Sequence, residues 1–138
     1  VSGTIVLGFD GSAAAEAALA TSARTASELE AAVVVVFAYY ISPLGGGDVR
    51  DYKVALEQHA METTAPAVAE LESAGVEATV CHVSGRAAQA LLDVAREVGA
   101  RLIVVGASHQ SPLAAAFRGS VVLDLLQHAD VPVLVVPV

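Results

Sequence analysis

The chain has 138 residues, 55% of them hydrophobic, enough to bury one substantial core, so residues 1–138 are read as a single domain. A formal net charge of −8 with only seven Lys and Arg sets the surface against phosphate backbones and anionic lipid, and neither nucleic acid nor membrane is expected as a partner. No run of about 18 uncharged apolar residues and no charged-then-apolar leader is visible, and the lone Cys81 in an apolar stretch reads as a buried, reduced thiol, so a cytoplasmic location is expected.

In chain order, Thr4-Ile5-Val6-Leu7-Gly8-Phe9 is apolar on both faces and predicts a first strand. Ser12 can cap the helix that follows, with Glu16 near its positive end and an Ala-rich body to about Ser27. A second strand runs from Ala32 to Ala38. A second helix is predicted over 49–73, where Val54, Met61, Val68 and Leu71 keep helical spacing, Pro66 forces a kink or break near Ala65, and Gly75 marks the end. The third strand is placed at Val76 to Val83. A third helix has Leu91, Ala95 and Val98 at i, i+4 and i+7, and Gly99 stops it. Leu102 to Val105 is the fourth strand. The fourth helix is expected to begin at Ser120 with Val122, Leu125, Leu126 and Ala129 facing inward, and Val133 to Val136 is the fifth strand.

Strands buried on both faces and separated by helices belong to a parallel sheet sandwiched by helices. The expected fold is a doubly wound α/β domain whose five strands follow the order 3-2-1-4-5. Winding reverses between the first and fourth strands, and ligands of open sheets sit beyond the carboxyl ends at such a point. The junctions there are Asp10-Gly11-Ser12 and the stretch from Gly106 to Ser120, the most polar and glycine-punctuated in the chain.

Gly119-Ser120 allows two readings, a phosphate cradle at a helix N-terminus or an ordinary strand-to-helix cap. Asp10 likewise reads as a ligand contact or as a turn residue accepting from the amides that follow it. Other chemistries fail on spacing. His59, His82, His109 and His128 form no i, i+4 pair and have no cysteine pair, and each is expected at the surface or a rim. The Gly-x-Ser-x-Gly elbow a Ser108-His109 hydrolase would need is missing. Neither the P-loop nor the Gly-x-Gly-x-x-Gly pattern occurs, and Gly45-Gly46-Gly47 lies away from the switch point.

Three segments carry a resemblance: Val6-Leu7-Gly8-Phe9-Asp10-Gly11-Ser12, then Val104-Val105-Gly106 with Gly119-Ser120-Val121, then His128-Ala129-Asp130-Val131-Pro132-Val133-Leu134-Val135-Val136-Pro137. Over nearly its whole length the chain resembles the universal stress proteins. Nucleotide-binding members carry Gly, two residues, Gly, nine residues, Gly and Ser or Thr. This sequence keeps Gly106, Gly119 and Ser120 at that spacing and has His109 in place of the middle glycine.

The resemblance implies that Asp10 lies beside an adenosine and that Ala38 is a small contact on the second strand. It implies that Gly106, Gly119, Ser120 and Val121 line the phosphates, with His109 at the altered position. The implied ligand is ATP or AMP, with Mg held between Asp10 and the phosphates if slow hydrolysis takes place. No general base, carboxylate cluster or phosphate-clamping lysine is visible, so no catalytic residue is assigned and the nucleotide is expected to act as ligand or switch of a stress-responsive regulator. The alternative is a family member that binds no nucleotide and serves as an interaction module, and the change at His109 favours it. The resemblance also implies an isologous homodimer through the last strand, Val131 to Pro137, an apolar sheet edge that needs cover.

Overall fold

The computed structural model describes residues 2–39, 49–107 and 121–138. Within them β1 (Thr4–Gly8), β2 (Ala32–Tyr39), β3 (Ala78–Ser84), β4 (Leu102–Ala107) and β5 (Val133–Pro137) form one sheet in the order β3-β2-β1-β4-β5. Every pairing is parallel, with Ile5 opposite Val33 and Leu102, and Val104 opposite Leu134. The connecting helices are α1 (Ala13–Leu29), α2 (Val49–Ser73), α3 (Ala87–Val98) and α4 over 121–128. The order expected from the strand pattern is therefore the one observed.

The continuous apolar runs follow from the alternation of side chains across a sheet covered on both faces. Ile5, Leu7, Val33, Val35 and Val104 point to one face, where they pack with Ala18 and Leu19 of α1 and Ala67 and Leu71 of α2. Val6, Val36, Ile103 and Val105 point to the other, against Leu91 and Ala95 of α3 and Leu125 of α4. Each fully buried Leu or Ile contributes roughly 1.5–3 kcal/mol by leaving water, and Ile5, Leu7, Leu19, Leu71, Ile103 and Leu125 are all in that state.

The helix ends follow their local chemistry. The Ser12 hydroxyl accepts from the Ala15 amide at 3.1 Å and caps α1. Gly99, left-handed at φ 62°, closes α3 by donating its amide to the Ala95 and Arg96 carbonyls. At the end of α2 the Gly75 amide reaches the Glu72 carbonyl and the Val76 amide reaches Leu71. That pattern assigns Val76 to the helix terminus, so β3 starts at Ala78 and not at Val76.

Other expectations are corrected. The inner face of α2 consists of Ala60, Thr64, Ala67 and Leu71, whereas Val54 and Met61 are 54% and 60% exposed. The helix runs unbroken across Pro66. On α4, Leu125 is buried but Leu126 is 59% exposed. Cys81, expected as a buried thiol, is half-buried on the edge strand. His82, expected at a rim, is half-buried and hydrogen-bonded to α2. Ser120, the expected start of α4, lies outside the described residues, as does Gly45-Gly46-Gly47.

Candidate functional site

Beyond Leu7 and Val104 the two central strands part company. β1 stays with β2 through Gly8 opposite Val36, and the Phe9 amide still reaches the Val36 carbonyl at 3.0 Å. β4 stays with β5 through Ala107 opposite Pro137. The divergence opens a crevice of about 330 Å3 at the carboxyl end of the sheet, at the point where the winding reverses.

The floor is Gly8, Val36 and Val105, with Ala38 at the end of β2 and Ala87 and Leu91 of α3 on one side. A Cβ at Gly8 would stand 3.1 Å from Leu91 Cδ1 and 3.3 Å from Val105 Cγ1, so glycine keeps the floor clear. Ser12, Ala14 and Ala15 of the α1 N-terminus and Val121 and Val122 of α4 complete the walls. Asp10 is the one ionisable side chain among the described lining residues.

Asp10 is exposed, and its Oδ1 accepts from the Ser12 amide at 3.0 Å. Gly11 between them is left-handed at φ 82°, as the tight reversal from strand to helix requires. The turn reading of Asp10 is thus realised, and the same carboxylate borders the crevice. Gly106 has a structural reason of its own, since a Cβ there would fall on the carbonyl of Ala14 where α1 crosses β4.

Of the residues expected at the site, Asp10, Ala38, Gly106 and Val121 line this one crevice. His109, Gly119 and Ser120 lie outside the described residues. Sequence reasoning missed Gly8, Phe9, Val36, Ala87, Leu91 and Val105, which read as core. The available signal was position: Phe9, Val36 and Val105 are at or near the carboxyl ends of strands around the switch point. Apolar walls, the Asp10 carboxylate and a helix N-terminus can take a ligand with an apolar part and polar or anionic groups.

The family model described as the Universal stress protein family matches residues 2–137. No curated protein matches the chain. Among solved structures, a protein from the universal stress protein family of Burkholderia pseudomallei is 29% identical, with a TM-score of 0.82 over 99% of this chain and 97% of that one. A universal stress protein from Archaeoglobus fulgidus in complex with dAMP is 26% identical, with a TM-score of 0.71 over 98% and 97% of the two chains. Another universal stress protein, in complex with cAMP, is 26% identical at a TM-score of 0.68 over 97% and 95%. The fold, the order of its strands and the match over 2–137 agree, and the chain belongs to the universal stress protein family.

Proposed function

We propose that the crevice between the ends of β1 and β4 binds an adenine nucleotide, which acts as ligand or switch of a regulatory protein in the stress response. The observation that carries this reading is convergence. Asp10, Ala38, Gly106 and Val121, far apart in sequence, meet at one apolar crevice whose volume of about 330 Å3 is within the range of small-ligand sites. The two relatives crystallised with dAMP and cAMP, each 26% identical, support an adenine nucleotide as the ligand class.

In this reading the base lies in the apolar slot beside Ala38 and Leu91, the ribose beside Asp10, and the phosphate toward Gly106 and Val121. His109, Gly119 and Ser120 belong to the phosphate side on the spacing of the glycine motif. The α1 N-terminus adds a favourable field for an anion. AMP and ATP are both candidate ligands. The Asp10 carboxylate is the group that would reach a Mg ion accompanying the ATP phosphates, although its Oδ1 already serves the Ser12 amide.

The same proposal covers a single domain, a cytoplasmic location and an isologous homodimer through β5. Support for the dimer comes from exposed apolar side chains: Leu134 of the edge strand β5, and Leu123 and Leu126 of α4 on the other face of the sheet.

Mass spectrometry of the denatured, purified protein tests the ligand directly. Co-purified AMP or ATP in near-equimolar amount is expected. No adenine nucleotide, together with no heat of binding on titration with AMP or ATP, would leave the interaction-module reading in its place.

A further inference from the structure

Outside the crevice, a polar contact with a buried member joins α2 to the edge strand β3. Thr64 of α2 is only 1% exposed, and its hydroxyl donates to the Ala60 carbonyl at 2.8 Å. The same hydroxyl is hydrogen-bonded to His82 Nε2, 3.1 Å away, with the donor set by the imidazole tautomer. The ring of His82 is held edge-on to Phe37 at 6.4 Å, and His59 flanks the same phenyl ring at 6.0 Å.

One residue earlier, Thr63 lies toward the turn that precedes α1. Its Cγ2 lies 3.0 Å from where a Cβ of Gly11 would stand, so its methyl rests on the Asp10-Gly11-Ser12 turn. That turn holds the Asp10 to Ser12 hydrogen bond and the cap of α1 at the crevice. Three residues after Thr63, Pro66 lacks the amide that would serve the Glu62 carbonyl, so this stretch of α2 depends more on tertiary anchors than an uninterrupted helix does.

We propose that His82 is a positioning residue for the crevice: through Thr64 it sets the turn of α2 whose Thr63 methyl supports Gly11 and thereby the Asp10–Ser12 wall. The His82–Thr64 contact and the crevice are then energetically coupled, and a change at one is felt at the other. The proposal rests on the nucleotide reading for its ligand but not for the coupling itself.

Thr64→Val removes the hydroxyl at nearly constant shape, and Thr64→Ser restores it. Thr63→Ser removes only the supporting methyl and leaves the Thr64 to His82 contact in place. The measurements are the amide NMR signals of Ser12 and Ala15, the affinity for AMP by calorimetry, and the melting temperature. Thr64→Val and Thr63→Ser are expected to shift both amide signals and to weaken AMP roughly two- to tenfold, with Thr64→Ser close to the unmodified protein. Unchanged Ser12 and Ala15 signals and unchanged affinity in both variants, even with a lowered melting temperature for Thr64→Val, would reduce the contact to a structural one and overturn the proposal. Should Thr64→Val fail to fold, His82→Leu, which removes the imidazole and leaves Thr64 in place, carries the same decision. If the unmodified protein takes up no AMP, the nucleotide reading fails, while the amide signals still decide the coupling.

Discussion

Gly106 and Asp10 show how one residue can satisfy a packing demand and border a ligand site at once. At Gly106 the obstacle is backbone, the Ala14 carbonyl, which cannot rotate away as a side chain can. Gly106→Ala is therefore expected to cost about 1–3 kcal/mol in a denaturant titration without nucleotide; a change below that range would mean that α1 yields easily. For Asp10 the two roles can be separated, because asparagine also offers an oxygen to the Ser12 amide. Asp10→Asn should leave stability nearly unchanged, and Asp10→Ala should lower it by about 0.5–1 kcal/mol. AMP affinity is expected to fall in both variants, since the carboxylate beside the ribose is lost in each. Full AMP affinity in Asp10→Asn would limit Asp10 to its turn.

At the scale of elements, α1 ends on a non-glycine residue in the left-handed region, Glu30 at φ 55° and ψ 41°. Its amide still reaches the Ala26 and Ser27 carbonyls, so the cap forms in spite of its side chain. Glu30→Gly should relieve about 1 kcal/mol and raise the thermal midpoint. The strands were the most legible elements, because Val33 to Phe37 and Leu102 to Val105 alternate between two faces that are both covered. The face of α2 was not legible. Its inner row of Ala60, Thr64 and Ala67 is small and partly polar, while the larger Val54 and Met61 stay outside, so hydrophobicity pointed the wrong way. Leu126 misled for a similar reason, as the neighbouring Leu125 alone takes the core position. At the crevice, polar and glycine positions such as Asp10 and Gly106 could be read, but Val36 and Leu91 could not, because a residue that closes a core and one that walls a slot look alike in sequence.

For the whole molecule, the sheet has two edges, β3 and β5, and they differ in chemistry. β5 leaves Leu134 exposed on the α1 face of the sheet, and α4 on the opposite face leaves Leu123 and Leu126 exposed, apolar surface of the kind an interface core uses. Leu126→Glu is expected to shift the mass measured by light scattering at micromolar concentration from dimer toward monomer. A monomer in the unmodified protein would remove the dimer from the account. The proposed nucleotide site is at the crevice that the divergence of β1 and β4 opens. Titration of AMP into the 15N-labelled protein, followed by amide NMR, tests it most directly. Saturable shifts centred on Asp10, Gly11, Ser12, Ala38 and Gly106 are predicted; no shifts, or shifts centred on another surface, would contradict it.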